Sequence, residues 1–244
     1  MTAIMELIDV SKSYGRAQAL RGVNLAVLPG SVTCVLGDNG AGKSTLLKIL
    51  AGAHRQSSGQ VLIDGKPVKL GSPRDSAQYG IATVFQNLGV VDLMPVWRNF
   101  FLGQELHRGP FLRAEQMRRI TAEQMTQMGV PIGNVNRTVG TLSGGQRQCV
   151  AIARAAYRGA RVLILDEPTA SLGVKQAGLV LSLVHKAAEN GVGVIMVTHN
   201  PTHAFHVGTH FLVLNAGDVV LDAPADQVER NTLVDLMSGD VHTA

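Results

Sequence analysis

The sequence predicts an α/β fold with a mostly parallel sheet, and three observations support this. Short apolar runs alternate with helical patterns along most of the 244 residues. The runs 162–165 and 192–197 are continuous and rich in β-branched residues and leucine, as is typical of parallel strands buried on both faces. A third run, Val32–Leu36, leads into a glycine-rich segment and then a helical pattern. Alternating strands and helices favour an α/β core.

The remaining elements follow the same periodicities. Period-two or short apolar patterns predict strands at 5–10, 20–28, 60–64 and 81–85. Helical spacing predicts helices at 43–51 and 146–157. Near the C-terminus, the runs 211–214 and 219–221 flank a turn and predict a hairpin, after which we expect two short helices.

The segment 88–138 differs, because it has few strand signals. Met94, Trp97, Met117, Met125 and Met128 recur at roughly helical spacing, and 115–128 has the pattern of an amphipathic helix. We interpret it as a helical insertion, with the methionines as core filler. The chain is then one domain, 1–244, with an α/β core formed by 1–87 and 139–244.

Composition indicates an ordinary globular protein and gives no sign of a nucleic-acid partner. The hydrophobic fraction of 45% and the charged fraction of 16% are those of an ordinary globular chain. The net charge of +4 suits an anionic ligand or membrane surface, or a plain solvated surface. The basic residues are not clustered, so no nucleic-acid partner is expected.

Cysteines and apolar runs bear on location. Cys34 lies in an apolar run and Cys149 in a helical pattern, so both are expected to be small buried residues rather than a disulfide or metal pair. No charged-then-apolar leader opens the chain, and no apolar run approaches about 18 residues. We expect a cytoplasmic protein, and any membrane work would need a separate membrane subunit.

Residues 37–44 fit the phosphate-loop pattern G-x-x-x-x-G-K-[ST]. Glycines let successive backbone N–H groups point at phosphate oxygens, and the following helix adds its positive dipole end. Lys43 is placed to reach the β- and γ-phosphates, and Ser44 to offer its hydroxyl to Mg²⁺. A chance turn is the alternative, but the strand before and the helix after favour the loop. The predicted phosphate-binding residues are Gly37, Asp38, Asn39, Gly40, Ala41, Gly42, Lys43, Ser44 and Thr45.

Two carboxylates end the strand at 162–165. Asp166 is predicted to hold Mg²⁺, through water, and Glu167 to activate the attacking water as a general base. Ordinary solvated acids at a strand end are the alternative in isolation. Downstream of a phosphate loop, the magnesium carboxylate is the better interpretation.

A second glycine-rich turn, Leu-Ser-Gly-Gly-Gln at 142–146, precedes a helical run. A helix N-terminus there would face an anion, with contributions from Ser143, Gly144, Gly145 and Gln146. A simple helix N-cap at Ser143 is the alternative.

With these three segments in this order, over about residues 5–220, the chain resembles the ATP-binding cassette (ABC) ATPases. The resemblance implies a P-loop NTPase core, an N-terminal antiparallel β subdomain and an inserted helical subdomain. It further implies that Tyr14 stacks on adenine, that Gln86 senses Mg²⁺ and the membrane subunit, and that His199 contacts the γ-phosphate. Gln86 and Lys43 thereby join Glu167 and His199 as candidate catalytic residues, and Gln86 joins Ser44 and Asp166 around Mg²⁺.

The resemblance also implies a mechanism with two chains. One copy's phosphate loop holds ATP, and residues 143–146 of the other copy close over it. The resulting homodimer would bind a permease at the inner face of the membrane. A substrate-binding protein would be an indirect partner, through the permease. Trp97, Phe100 and Phe101 are candidates for supporting the permease contact, with burial in the core as the alternative.

One position departs from the family pattern. Residues 170–173 read Ala-Ser-Leu-Gly, where the family usually has Ser-Ala-Leu-Asp, so Gly173 puts the cross-dimer link of that aspartate in doubt. The following Val-Lys-Gln at 174–176, the loop at 37–43 and Thr-His-Asn at 198–200 are similar to ATPases of simple-sugar importers. In those ATPases, Gly in place of the Asp is a familiar variant. We therefore expect the ATPase of a simple-sugar importer. The alternatives are an ABC transporter for another substrate, an exporter, and a soluble ABC ATPase acting on DNA or ribosomes.

Overall fold

A computed structural model describes residues 2–238. The strands are β1 Met5–Tyr14, β2 Ala17–Val27, β3 Val32–Leu36, β4 Ser58–Ile63, β5 Lys66–Val68, β6 Ile81–Val84, β7 His107–Arg108, β8 Phe111–Leu112, β9 Val162–Asp166, β10 Gly193–Val197, β11 His210–Asn215 and β12 Asp218–Pro224. The helices are α1 Lys43–Leu50, α2 Pro73–Gln78, α3 Val96–Phe101, α4 Ala114–Gln127, α5 Gly144–Tyr157, α6 Val174–Glu189, α7 Pro201–Val207 and α8 Arg230–Ser238.

The main sheet has the order β12-β11-β3-β10-β9-β6. All neighbours pair in parallel except β11 and β12, which form the predicted hairpin. In this register the carboxyl ends of β3, β9 and β10 meet at one edge. The chain segments that leave this edge are those for which chemistry was predicted, as expected for ligand sites in open parallel sheets.

A second sheet, of order β2-β1-β4-β5, is antiparallel throughout. It provides the N-terminal antiparallel part implied by the resemblance. The predicted α/β fold class is therefore confirmed.

The main sheet is covered on both faces, because alternate residues of its strands enter two separate cores. Cys34 and Leu36 of β3 belong to the core with α5 and α6, whereas Val35 belongs to the core with α1 and the second sheet. Burial on both faces explains why these strands are continuously apolar. Cys34 and Cys149 are buried free thiols, as predicted, and burial raises the pKa of Cys149 to about 12.

The segment 88–138 contains the helices α3 and α4, which pack on α5, joined by loops and the short strands β7 and β8. Trp97, Phe100 and Phe101 lie in the core, and the two phenylalanines contact the ring of Tyr157. The alternative left open for these three residues, burial in the core, is therefore correct. The small hairpin β7–β8 was not predicted, and it exposes 74% of Phe111.

The two short helices expected near the C-terminus are one α-helix, α8, and one 3-10 turn, Ala225–Gln227. Within residues 2–238, no helix is both long enough and apolar enough to cross a membrane.

Candidate nucleotide-binding site

The loop between β3 and α1 is shaped by glycines in the left-handed region. Gly37, Gly40 and Gly42 have φ values of 136°, 84° and 108°. A Cβ atom on Gly42 would lie 2.7 Å from the carbonyl oxygen of Ala19 and 2.9 Å from Cδ2 of Leu20. Only glycine adopts this conformation and fits this space without strain.

Lys43, the first residue of α1, lies across this loop and is only 8% exposed. Its ammonium donates to the carbonyl oxygens of Gly37, at 2.7 Å, and Asp38, at 2.8 Å. Burial lowers the pKa of Lys43, and the carboxylates of Glu167, Asp38 and Asp166 oppose this shift. The positive charge is therefore held over the centre of the loop, where an anion would bind.

The loop forms one wall of a cavity of about 340 Å³. The sheet edge forms the other wall and contributes Gln86, Asp166 and Glu167. The cavity therefore brings together most of the predicted phosphate, metal and catalytic residues. Its lining residues are Ala19, Asn39, Gly40, Ala41, Gly42, Lys43, Ser44, Thr45, Gln86, Asp166, Glu167 and Val197.

The two carboxylates are held by the sheet. Asp166 is the last residue of β9, and burial together with the charge of Glu167 raises the pKa of its carboxyl group. Glu167 has φ +48°, and its N–H donates to the carbonyl oxygen of Val197 at 2.9 Å. The partly buried carboxylates of Asp166 and Glu167 line the same cavity as the Ser44 hydroxyl. Carboxylate and hydroxyl oxygens are donors that Mg²⁺ prefers, so the residues present fit that ion.

His199 reaches the same carboxylate from the segment after β10. Its Nδ1 lies 2.8 Å from Oε1 of Glu167, and the imidazole is largely exposed. A second cavity of about 470 Å³ lies on this side and is lined by Gln86, Glu167 and His199, together with residues 169–172. Glu167 and Gln86 thus line both cavities.

A family model described as ABC transporter matches residues 20–170, more than half of the chain. The chain belongs to the ABC transporter family. The predicted resemblance and the prediction of an ATPase are therefore confirmed.

Sequence relatives of this ABC chain include import proteins. It is 37% identical to the xylose/arabinose import ATP-binding protein XylG of Sulfolobus acidocaldarius, over 98% of this chain and 95% of the relative. It is 39% identical to the fructose import ATP-binding protein FrcA of Rhizobium meliloti, over 84% and 82%. It is 34% identical to ribose import ATP-binding protein RbsA 2 of Escherichia coli O157:H7, over 98% of this chain and 47% of that protein, so it spans about half the length of this relative.

Solved structures of ABC cassettes have the same fold. One is a dimeric ATP-binding cassette in a post-hydrolysis state with ADP and Pi, which is 28% identical with a TM-score of 0.75, over 91% of this chain and 98% of that one. Another is cbiO1 of Clostridium perfringens, part of a cbiONQ transporter complex, which is 27% identical with a TM-score of 0.80, over 93% and 90%.

Three groups of predicted residues of this ABC ATPase lie outside the 340 Å³ cavity. Ser143 caps α5, since its Oγ accepts from the Gln146 N–H while the Gln146 side chain accepts from the Ser143 N–H. Gly144 and Gly145 lie close to Leu172 and Gln176, and neither glycine lines the 340 Å³ cavity. The predicted segment 143–146 is thus a helix N-terminus, but one chain does not bring it to its own phosphate loop.

Tyr14 also lies apart from this cavity. Its hydroxyl is 2.5 Å from Nδ1 of His54, and the ammonium of Lys12 lies 5.0 Å from the centre of its ring. The aromatic ring of Tyr14 is therefore held by polar neighbours and remains about half exposed.

The third group is Gly37 and Asp38, which line a separate recess together with His199.

Sequence reasoning missed some residues of the site. Ala19 lines the cavity from β2, and no local signal distinguishes it from other small residues. His203 of α7 lies 2.9 Å, Nδ1 to Oγ1, from the buried Thr169, and burial lowers the pKa of this imidazole. Its position four residues after His199 was the one available signal.

Proposed function

We propose that this chain is the ATP-hydrolysing subunit of an importer for a simple sugar. It works as a homodimer on the cytoplasmic face of the membrane, bound to separate permease subunits. Three relatives named as importers of xylose and arabinose, ribose and fructose support the substrate class. The observation that carries the catalytic role is the single cavity shared by the phosphate loop, Asp166 and Glu167.

In this proposal, Lys43 binds the nucleotide phosphates. Its ammonium exchanges the carbonyl oxygens of Gly37 and Asp38 for β- and γ-phosphate oxygens, which are stronger, charged acceptors. The N–H groups of residues 39–45 add the backbone cradle and the positive end of α1. Tyr14 provides the stacking surface for adenine.

Ser44, Gln86 and Asp166 are the residues that would hold Mg²⁺. When bound there, the ion would supply positive charge against the phosphate oxygens. The raised pKa of Asp166 reflects burial and the like charge of Glu167, and a cation beside it would oppose both effects by favouring the ionised carboxylate.

Glu167 is the general base. Its carboxylate removes a proton from the attacking water, while the hydrogen bond to His199 orients it. The backbone bond to Val197 and the positive φ fix the side chain at the sheet edge. His199 is largely exposed, so it is available to a γ-phosphate as well.

The homodimer is supported by the placement of residues 143–146. This helix N-terminus does not line the cavity of its own chain, which is consistent with a site that a second copy completes. A related cassette has been solved as a dimer in two structures. The helical segment, proposed as 88–138, follows Gln86 directly and would carry changes at the site to the permease.

Replacing Glu167 by Gln tests hydrolysis. We expect turnover to fall roughly 10²–10⁴-fold, with ATP still bound and the dimer stabilised. Glu189→Gln, an exposed change on α6, is the matched control. Turnover of Glu167→Gln equal to that of the control would exclude Glu167 as the base.

A reconstituted complex tests the substrate class. With permease and binding protein in vesicles, ATP hydrolysis should rise when a pentose or hexose is added. No stimulation by sugars, together with stimulation by an amino acid or a lipid, would refute the sugar assignment and leave the ATPase assignment intact.

A further inference from the structure

The loop that connects β6 to α3, residues 86–95, is termed the Gln86 loop here. It begins with Gln86 at the nucleotide cavity and has no helical or strand hydrogen bonding along most of its length. Backbone groups of such a loop need partners from elsewhere. Side chains of α5 and α3 provide several of them.

Arg154 of α5 provides the first set. Its Nη1 donates to the carbonyl oxygens of Gly89, at 3.2 Å, and Asn99, at 3.4 Å, and its Nη2 donates to that of Leu88, at 3.1 Å. Burial lowers the pKa of this guanidinium, and the charge of Arg158 adds to the shift. Burying a cation costs free energy unless it is hydrogen-bonded. Here the planar guanidinium donates to three carbonyl oxygens at once, which offsets that cost.

Asn99 of α3 provides the second set and is fully buried. Its Oδ1 accepts from the Val91 N–H at 2.7 Å, and its Nδ2 donates to the carbonyl oxygens of Val91 and Met94 at 3.0 and 3.1 Å. The Asn99 carbonyl in turn accepts from Arg154. The Gln86 loop, α3 and α5 therefore share one hydrogen-bond network.

A second contact joins α5 to the same loop. Arg147, seven residues before Arg154 and so on the same face of the helix, has its Nη1 3.7 Å from the carboxylate of Asp92. Arg147 directly follows residues 143–146, which form the N-terminus of α5. The loop that begins at the nucleotide cavity is thus attached along the helix whose N-terminus is formed by residues 143–146.

We propose that Arg154 is a positioning residue that makes the Gln86 loop and α5 move as one body. A change at Gln86 when nucleotide binds is then transmitted to residues 143–146, which close over the ATP of the second copy. This rests on the proposed function, because it assumes that the site is completed across a dimer.

The test uses Arg154→Lys in the full chain carrying Glu167→Gln. Lysine keeps the charge, but one ammonium replaces the two Nη atoms that contact the carbonyls of Leu88, Gly89 and Asn99, and the planar fork that fixes their geometry is lost. The matched control is Arg158→Lys, one turn further along α5, whose guanidinium donates to the Leu102 carbonyl and does not contact the Gln86 loop. ATP affinity is measured by calorimetry and ATP-dependent dimerisation by sedimentation.

We expect Arg154→Lys to bind ATP with an affinity within about threefold of the control and to need roughly tenfold more ATP for dimerisation, a change of the size found for residues that couple two sites. Emission from Trp97, the one tryptophan of the chain, checks that the helical part is folded. Dimerisation equal to that of Arg158→Lys would overturn the inference. An equal loss of ATP affinity and dimerisation would also overturn it, because that result indicates a purely structural role.

Asp92→Asn gives a second route if Arg154→Lys does not fold. It removes only the exposed ion pair with Arg147, and we expect a smaller loss of dimerisation, about twofold, with unchanged ATP affinity. No change would count against the shared movement of loop and helix. Failure of the Glu167→Gln parent to dimerise with ATP would instead refute the proposed dimeric function.

Discussion

Gly42→Ala tests the account of the phosphate loop most sharply. The new Cβ would lie 2.7 Å from the Ala19 carbonyl oxygen and 2.9 Å from Leu20 Cδ2, at a φ of 108°. The backbone conformation costs alanine about 1–3 kcal/mol, and overpacking against β2 costs about 1–3 kcal/mol more. If the loop keeps its shape, the free energy of unfolding falls by roughly 2–6 kcal/mol. If the loop instead changes conformation, its N–H groups no longer point at the phosphate oxygens. The same free-energy cost then appears as weaker ATP binding.

Gly40→Ala is the matched control. Gly40 also has a positive φ, but its Cβ would meet no atom within 4 Å. It should therefore show the backbone cost alone. Urea unfolding and ATP affinity are measured for both variants. For each variant, the loss in the free energy of unfolding and the loss in the free energy of ATP binding are then added. Equal sums for Gly42→Ala and Gly40→Ala would refute the close approach of β2 to the loop as the reason for glycine.

Three further predictions concern other parts of the site. Gly173→Asp places its side chain in open space at the N-cap of α6. We therefore expect the free energy of unfolding to rise by a few tenths of a kcal/mol and ATP hydrolysis to become more cooperative. A loss above about 1 kcal/mol in urea unfolding would contradict this. Tyr14→Phe should keep ATP affinity near that of the unmutated chain, whereas Tyr14→Ala should lose about 1–3 kcal/mol of base stacking, and equal affinities measured by calorimetry would exclude adenine stacking. Because burial and Glu167 raise the pKa of Asp166, and Mg²⁺ needs the ionised carboxylate, titration calorimetry should show Mg²⁺ affinity falling on acidification at a pH above the usual aspartate range; Asp166→Asn should lose this dependence.

Local patterns were sufficient for the phosphate loop and the strands around it. Glycine spacing, the apolar run before it and Lys43 lie within a few residues of one another, so the sequence displays them together. The strands of the main sheet are buried on both faces, which makes them continuously apolar and easy to recognise. The same reasoning gave Asp166 and Glu167 at a strand end, and the structure places both beside the loop.

Contacts between distant parts of the chain could not be read in this way. Arg154 meets Leu88 and Gly89 across 66 and 65 residues, and its helix pattern looks the same whether or not it does so. The pairing of His203 with Thr169 is similarly non-local, at a separation of 34 residues. The hairpin β7–β8 has strands of two residues each, too short for any periodicity to appear.

The central claim is that each ATP site is built from two copies of this chain, and mixing two inactive variants tests it most directly. Lys43→Ala disables the phosphate loop, and Ser143→Arg blocks the N-terminus of α5. Each should be inactive alone, but every mixed dimer pairs one intact loop with one intact helix N-terminus. With random pairing, equimolar mixing should restore about a quarter of the activity of the unmutated protein. A mixture that forms mixed dimers by crosslinking, yet binds and hydrolyses no more ATP than the separate variants, would contradict the claim.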